Sequence, residues 1–405
     1  MPELSIDRLG HHGDGIAEGP VYVPRTLPGE VVEGDIVGGR VCAPRILKSS
    51  PNRVSAPCRH YASCGGCALQ HANDDFVKAW KRSVVDTALS AHGLSAPIRR
   101  THVSPPGSRR RATFTGRRTK KGALAGFHAP ASELICAVPG CRILRPALLA
   151  SIPTLEKFCR IGASRKGEIR FVVTETDNGL DVAAFGGKTL DADLRQAIAE
   201  TAADEDVSRV SWNEEPIAQL RTPILSIGSA LVPIPPGAFL QATAEGESAL
   251  LASTQEAVGD ADRVADLFAG CGTFSLPLAV YADVAAVEGQ AEMLAALEAG
   301  WKHSNGLRNV ATEARDLFQR PMLADELDRF DAVVVDPPRA GAEAQAREIA
   351  KAKPDRVAMV SCNPATFARD AAILTNAGYK LEWIDLVDQF RWSTHIEVAA
   401  KFSLK

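Results

Sequence analysis

The sequence predicts an α/β protein whose C-terminal part is a doubly wound, Rossmann-like parallel sheet with an antiparallel last strand. From about residue 237, short apolar runs alternate with helical patterns, which is typical of a parallel sheet covered on both faces. The last two apolar runs, residues 380–387 and 395–402, are separated by only a short loop and must pair antiparallel. At 405 residues the chain is too long for one ordinary core, so further domains precede this sheet.

Three segments follow from the pattern along the chain. Residues 1–48 hold short alternating runs separated by turn signals such as Leu27-Pro28-Gly29-Glu30, which predict a small β-barrel. Residues 49–236 predict a central α+β domain, with helices over 72–92 and 190–202 and strands over 109–115 and 169–173. Residues 237–405 hold the predicted parallel sheet, with strands at 263–268, 284–287, 331–335 and 356–360 and a helix over 291–303.

The composition indicates a protein of the reducing cytoplasm. Hydrophobic residues make up 45% of the chain and charged residues 23%, as in soluble globular proteins. The N-terminus has no signal-peptide pattern, and no apolar run is long enough to span a bilayer. Nine cysteines in such a chain indicate metal binding or catalysis rather than structural disulfides.

Positive charge is concentrated in one stretch, although the net charge is -3. Residues 99–121 contain nine Lys or Arg and no Asp or Glu, so the rest of the chain carries -12. This concentration predicts either a phosphate-binding face or a solvated basic loop.

A cluster of cysteines follows the predicted barrel, in the order Cys58-x5-Cys64-Gly65-Gly66-Cys67. A single loop can bring these three thiols around one centre, and thiolate ligands suit zinc or an iron–sulfur cluster. The nearest candidates for a fourth ligand are Cys136, Cys141 and Cys159. We favour Cys141 because the Pro139-Gly140 turn can present it.

Cys362 lies where a buried strand gives way to a helix. Residues 356–360 are apolar, Asn363 is a good helix N-cap, and Pro364 suits the first helical position. Open α/β sheets bind ligands at this edge, and a helix N-terminus is expected to lower the pKa of a thiol. The residues alone leave two interpretations open, a nucleophilic thiolate or a small buried apolar side chain.

A nucleoside site is predicted at the same edge. The stretch Asp266-Leu267-Phe268-Ala269-Gly270-Cys271-Gly272-Thr273 follows the first strand, and Glu288 ends the next one, where a carboxylate can take ribose hydroxyls. Ser275 occupies the place of the third glycine of a dinucleotide fingerprint, which weakens a nicotinamide interpretation. Asp336-Pro337-Pro338-Arg339 follows the fourth strand, as a site element or as a plain proline turn.

Together these motifs resemble the RNA 5-methyluridine methyltransferase family, most closely its iron–sulfur branch acting on 23S ribosomal RNA. The glycine stretch is similar to motif I of class I S-adenosylmethionine methyltransferases, and residues 9–17 with the Leu-Pro-Gly-Glu turn resemble the OB-like TRAM barrel that binds RNA. The resemblance covers nearly the whole chain. It implies an RNA substrate, S-adenosylmethionine and a [4Fe-4S] cluster, with transfer RNA as the alternative substrate; no protein partner can be inferred, and a monomer is expected.

The resemblance also implies residue roles. Cys362 would be the nucleophile and Glu397 the base, with Asp336 in the shared uracil and cofactor pocket, where as a third catalytic residue it could stabilise the enolate. The implied cofactor contacts are Gln241, Phe268, Gly270, Gly272, Thr273, Glu288, Asp316 and Asp336, and the implied cluster ligands are Cys58, Cys64, Cys67 and Cys141.

Three positions depart from the family pattern, which usually has Pro at Arg391, Thr at Ser393 and Asn at Thr243. Because they lie beside the predicted site, we expect them to alter RNA contacts rather than the chemistry. Two other functions remain as alternatives: an iron–sulfur RNA-binding protein without catalysis, and methylation of a nucleobase amino group, which would not need Cys362.

Overall fold

The computed structural model describes residues 2–404 of the chain. The strands of this part are β1 (Glu3–Leu9), β2 (Gly15–Ala17), β3 (Val21–Val23), β4 (Val31–Glu33), β5 (Ile36–Val37), β6 (Arg40–Val41), β7 (Arg45–Lys48), β8 (Ile98–Val103), β9 (Arg111–Thr119), β10 (Gly122–His128), β11 (Ile135–Cys136), β12 (Glu168–Thr176), β13 (Gly179–Phe185), β14 (Arg209–Trp212), β15 (Glu215–Gln219), β16 (Ile224–Ile227), β17 (Ala230–Pro233), β18 (Arg263–Leu267), β19 (Asp283–Glu288), β20 (Val310–Ala314), β21 (Ala332–Val335), β22 (Arg356–Ser361), β23 (Tyr379–Asp388) and β24 (Glu397–Leu404). The helices are α1 (Asp74–Ser90), α2 (Pro146–Ala150), α3 (Ile152–Gly162), α4 (Ala192–Asp204), α5 (Ala244–Val258), α6 (Ser275–Leu278), α7 (Ala291–Lys302), α8 (Ala324–Leu327), α9 (Glu343–Ala352) and α10 (Pro364–Asn376).

The first seven strands form one sheet in the order β5-β6-β3-β2-β1-β4-β7. Its alternating pattern buries a small apolar core, which consists of Ile6, Ala17, Val23, Val32 and Val41. The short strands predicted for residues 1–48 are therefore present. Their assignment as a TRAM-like barrel stays a prediction.

The second sheet, in the order β11-β10-β9-β12-β13-β14-β15, belongs to the central segment. Helices α3 and α4 pack against it, and its core includes Phe114, Phe158, Phe171 and Trp212. The strands predicted at 109–115 and 169–173 and the helix predicted at 190–202 correspond to β9, β12 and α4.

The C-terminal sheet has eight strands in the order β20-β19-β18-β21-β22-β24-β23-β8. Strands β18 to β22 run parallel, and β24 lies antiparallel between β22 and β23, with Val387 opposite Glu397. Apolar clusters cover both faces of this sheet. The doubly wound sheet and its antiparallel last strand are therefore confirmed.

Three pieces from before residue 237 join this C-terminal layer. Strand β8 pairs in parallel with β23 at the edge of the sheet, and the β16–β17 hairpin packs on α7, where Gly300 gives room to Val232. Helix α1 lies against α10 and contributes Val85 and Leu89 to the core. The division into 1–48, 49–236 and 237–405 stays a prediction. Packing between the second and third segments crosses the boundary at residue 237. The local sequence pattern does not show this packing, because it depends on pairing between residues distant along the chain.

Candidate active site

One cavity of about 650 Å³ opens at the carboxyl edge of the parallel strands. It collects the residues that follow β18, β19, β20, β21 and β22, together with the first residue of the antiparallel β24. Parallel strands end at one edge, and an antiparallel neighbour begins there, so residues far apart in sequence meet. The predicted residues that line the cavity are Gln241, Phe268, Gly270, Thr273, Glu288, Asp316, Asp336, Cys362 and Glu397.

The loop after β18 has the conformation that its glycines allow. Gly270 has φ 56° and donates its N–H to Glu288 Oε2 at 3.1 Å, while Glu288 Oε1 accepts from the N–H of Gln290 at 2.9 Å. Phe268, although not a glycine, has φ 64°, and such strained residues often lie at functional sites. Its ring lies 5.4 Å from that of Phe318 across the same cavity. The rings of Phe268 and Phe318, together with the carboxylate of Glu288 that the main chain holds in place, thus form a pocket suited to a nucleoside.

Gly272 does not line this cavity among the described residues, unlike the other predicted cofactor contacts. It has φ 94°, and a Cβ there would lie 2.8 Å from Leu297 Cγ. The glycine is thus needed for the close packing of the loop against α7. Ser275, which stands where a third glycine would be, donates its hydroxyl to the buried Asp266 at 2.5 Å.

Cys362 lies one residue before the N-cap of α10, as predicted. The Asn363 side chain accepts from the N–H of Ala365 at 3.1 Å, and Pro364 begins the helix. The predicted lowering of the thiol pKa is wrong. Burial, and then the carboxyl groups of Glu397 and Asp336, raise the pKa of Cys362, with Arg339 acting in the opposite direction.

The two carboxyl groups share that environment. Burial, and then the nearby Asp266, raises the pKa of Asp336 to about 7. Burial, and then Asp336, raises the pKa of Glu397 to about 8. Both groups therefore carry protons for part of the time near neutral pH, which suits proton transfer.

Amide side chains hold these acids. Gln241 Nε2 donates to Asp336 Oδ2 at 3.3 Å, and Gln389 Nε2 donates to Glu397 Oε2. Gln241 was predicted as a cofactor contact, whereas Gln389 was not predicted. The only signal for Gln389 in the sequence is its position just before the loop that leads to Glu397. Its hydrogen-bond partner Gln241 is distant along the chain, so the sequence does not indicate their contact.

Arg339 and His395 lie together on the cavity wall. The guanidinium donates to the imidazole ring, and burial followed by the charge of Arg339 lowers the pKa of His395 to about 4. The ring is therefore neutral at pH 7 and accepts from Arg339. Helix α10 supports this loop, because Asn363 Nδ2 and the Thr366 hydroxyl both donate to the carbonyl of Arg339, at 3.0 and 3.3 Å.

The three departures from the family pattern all make internal contacts. Arg391 pairs with Asp74 and donates to the carbonyl of Ser104 at 3.3 Å. The Ser393 hydroxyl accepts from the N–H of His395 at 3.2 Å. Thr243, which is 1% exposed, is the N-cap of α5, and its hydroxyl lies 2.7 Å from that of Ser104. These contacts favour roles in holding the loops together over the altered RNA contacts that we expected.

A second cavity, of about 250 Å³, is lined by all four predicted cluster ligands, Cys58, Cys64, Cys67 and Cys141. Of the three candidates for the fourth position, only Cys141 lines it within residues 2–404. Burial and the neighbouring cysteines raise the pKa of Cys67 to about 12. Across the same residues, no group of three or more His, Cys, Asp or Glu side chains is arranged to hold a single metal ion.

The basic stretch from residue 99 to 121 does not form one continuous face. Arg99 and Arg100 pair with Glu256, Arg110 pairs with Glu247, and Arg117 pairs with Glu168. The local excess of positive charge is thus partly neutralised by acids from elsewhere in the chain. Arg118, Lys120 and Lys121, around the β9–β10 turn, remain exposed.

Three features define the class of S-adenosylmethionine-dependent methyltransferases: a parallel sheet with the antiparallel last strand β24, a glycine loop after β18, and a carboxylate at the end of β19. A family model described as tRNA (Uracil-5-)-methyltransferase matches residues 234–403. An RNA methyltransferase of Brucella suis is 43% identical over 98% of this chain and 97% of its own length. The 23S rRNA (uracil(1939)-C(5))-methyltransferase of Shewanella amazonensis is 32% identical over 99% of this chain and 95% of its own length. The chain belongs to the RNA uracil-5-methyltransferase family.

The solved structures agree on the fold. The tRNA (uracil-54, C5)-methyltransferase of Pyrococcus abyssi, in complex with S-adenosyl-L-homocysteine, matches with a TM-score of 0.75 over 99% of both chains. Its sequence identity is 22%, so the similarity concerns the fold. Within residues 2–404, no helix is both long and apolar enough to cross a membrane.

Proposed function

We propose that this enzyme methylates C5 of a uridine in 23S ribosomal RNA through a covalent adduct between Cys362 and C6 of the base. The observation that carries this proposal is that Cys362, Asp336 and Glu397 line one cavity with the nucleoside pocket built by Glu288 and the glycine loop. The full-length similarity to a 23S rRNA uracil-C5 methyltransferase supports ribosomal RNA as the substrate.

The covalent route answers a chemical difficulty. C5 of uracil is a poor nucleophile, and addition of the Cys362 thiolate to C6 turns the ring into an enolate whose C5 can attack the methyl group of the sulfonium. Asp336, with its pKa raised to about 7 by burial, keeps a proton that can be donated to the developing enolate oxygen. A buried acid thus acts here as a hydrogen-bond donor at neutral pH.

Product release needs a base. After methyl transfer C5 still carries its hydrogen; its removal by Glu397 sends the C–H electron pair into the C5–C6 bond and expels the thiolate of Cys362. The pKa of about 8 for Glu397 lies close to the working pH, where a base accepts and releases protons most effectively. The target base must leave its stack to reach this cavity.

The Cys362 variant tests the nucleophile. Cys362→Ala should lose methyl transfer and the covalent adduct while still binding S-adenosylmethionine, because the nucleoside pocket lies on other strands. Cys42→Ala, at an exposed cysteine in the connection between β6 and β7, is the matched control and should behave like the wild type. Full activity of Cys362→Ala would refute the covalent route and favour methylation of a different acceptor atom.

The RNA target is tested by mapping. A strain lacking this enzyme should lose a 5-methyluridine from its ribosomal RNA and regain it with the wild-type chain, but not with Cys362→Ala. Loss of the modification from transfer RNA instead would assign the alternative substrate. Unchanged maps of both RNAs would contradict the proposed function.

We further propose that Cys58, Cys64, Cys67 and Cys141 hold a [4Fe-4S] cluster. Support comes from the four thiols that line one cavity, with the N–H of Gly66 donating to Cys64 Sγ at 3.3 Å. Hydrogen bonds to sulfur are typical of such sites, and all-thiolate ligation suits iron–sulfur clusters. The group would fasten the loop of residues 58–67 to the turn at Cys141.

A further inference from the structure

Gln389 lies between the two catalytic acids. Its side chain is buried, with 1% exposure, in the residue that follows β23 and eight positions before Glu397. It bonds to two separate parts of the chain: Glu397 on one side, and on the other Gln241 together with the main chain at the neighbouring Ala242.

The main chain sets the orientation of the Gln389 carboxamide. Its Oε1 accepts from the N–H of Ala242 at 2.7 Å and, more weakly, from that of Thr243 at 3.4 Å. A main-chain N–H can only donate, so the carboxamide oxygen must face it. The NH₂ group is therefore directed to Glu397 Oε2 and to Gln241 Oε1, the latter at 2.5 Å.

The orientation of the Gln389 carboxamide also fixes the orientation of the next amide, Gln241. Because the oxygen of Gln241 accepts from Gln389, its NH₂ group is left to donate to Asp336 Oδ2 at 3.3 Å. Each acid thus receives an N–H on one oxygen, and this favours the proton on the other oxygen, because the unprotonated oxygen of a carboxyl group is its better acceptor. The other oxygen, Oε1 of Glu397 or Oδ1 of Asp336, is the one that exchanges a proton with substrate.

The fold makes room for this side chain. Gly246 lies in the first turn of α5, and a Cβ there would approach the Cβ of Gln389 to 2.6 Å. The two residues just before this helix, Ala242 and Thr243, supply the N–H groups that fix the carboxamide. The position of Gln389 is therefore built by three elements together: β23, α5 and the strand that begins with Glu397.

We propose that Gln389 is a positioning residue, which selects Glu397 Oε1 as the oxygen that removes the C5 proton and links it through Gln241 to Asp336. This inference rests on the proposed function, in which Glu397 is the base. In the step concerned, the C5–H bond breaks and its proton goes to Oε1. The electron pair forms the C5=C6 bond, the C6–S bond breaks, and Cys362 leaves as the thiolate.

The test separates methyl transfer from product release. Wild type and Gln389→Met, which keeps the length but has no amide, are mixed in a single turnover with a uridine-containing RNA substrate and methyl-labelled S-adenosylmethionine. Labelled RNA in the denatured gel shows methyl transfer, and the labelled protein–RNA band shows the unresolved adduct. We expect methyl transfer within about twofold of wild type and release slowed about tenfold, the loss expected for one hydrogen bond to a charged group.

The pH profile adds a second measurement. Removal of the N–H donor from Glu397 should raise its pKa, since the Gln389 hydrogen bond lowers it, so the release profile should move to higher pH. Thr254→Val is the matched control, because Thr254 is equally buried in α5 and its hydroxyl has no partner within the described chain. It should leave both steps and the profile unchanged.

Glu397→Gln on the same gel distinguishes the two failures. If Glu397→Gln releases product normally, the proposed base is wrong. If Glu397→Gln traps the adduct while Gln389→Met releases product at the wild-type rate and pH, only the positioning role is overturned. An equal loss of both steps in Gln389→Met, together with weaker S-adenosylmethionine binding, would also overturn it, because that result indicates a general structural role.

Discussion

Glu397 should destabilise the folded protein at alkaline pH, and Glu397→Gln should remove that effect. The carboxyl group is buried, at 4% exposure, and burial together with Asp336 raises its pKa from 4.5 to about 8. The folded state thus holds this proton more tightly than the unfolded chain. The contribution to stability is fully present below pH 4.5, and it is lost as the pH rises towards 8.

The magnitude follows from the shift. One pH unit corresponds to about 1.4 kcal/mol, so the loss between pH 4.5 and 8 is on the order of 5 kcal/mol. A glutamine at this position is neutral throughout, and its carbonyl oxygen can still accept from Gln389. We therefore expect the variant to unfold at a temperature about 10–20 °C higher than the wild type at pH 8, because about 1 kcal/mol shifts the unfolding temperature of a domain of this size by about 2–4 °C.

Thermal unfolding followed by circular dichroism from pH 5 to 9, without substrates, measures this difference. The difference in unfolding temperature between the variant and the wild type should be small at pH 5 and should grow steadily up to pH 8. Glu292→Gln changes an exposed carboxylate on α7 and should show no such growth. A gap that is absent, or independent of pH, would refute the claim that Glu397 is held in its protonated form by burial.

Two further predictions concern the cysteine cavity and the glycine loop. Cys58→Ser should lose the brown absorbance at roughly 400 nm and the bound iron. Cys136→Ser, which changes a cysteine next to the cavity but outside it, should keep both. A colourless wild-type protein with one zinc would contradict the cluster. Gly272→Ala should destabilise the fold by about 3 kcal/mol in denaturant unfolding, because its Cβ meets Leu297 and its φ is 94°. Gly306→Ala, with φ 78° and nothing within 4 Å, isolates the conformational part, and an equal loss in both variants would contradict the packing argument.

Several parts of the site could be predicted because they depend on local geometry. The N-cap at Asn363, the strand before it and the carboxylate at Glu288 follow from residue type and from the rule that parallel strands end at one edge. The pKa of Cys362 was predicted in the wrong direction. The sequence pattern shows the helix N-terminus next to the thiol, but it does not show the burial of the thiol, which raises its pKa most, or the carboxyl groups of Glu397 and Asp336, which reach it from other strands.

By itself, the sequence determined the doubly wound sheet, its antiparallel last strand and the residue types that meet at its edge, since each follows from periodicity, turn chemistry and strand order. Only the tertiary structure decided how those residues are connected. Three contacts each connect segments more than a hundred residues apart: the pairing of β8 with β23, the ion pair of Arg391 with Asp74, and the hydrogen bond from Gln389 to Gln241. Local propensity contains no information on these contacts, because they form only when burial brings the distant segments together.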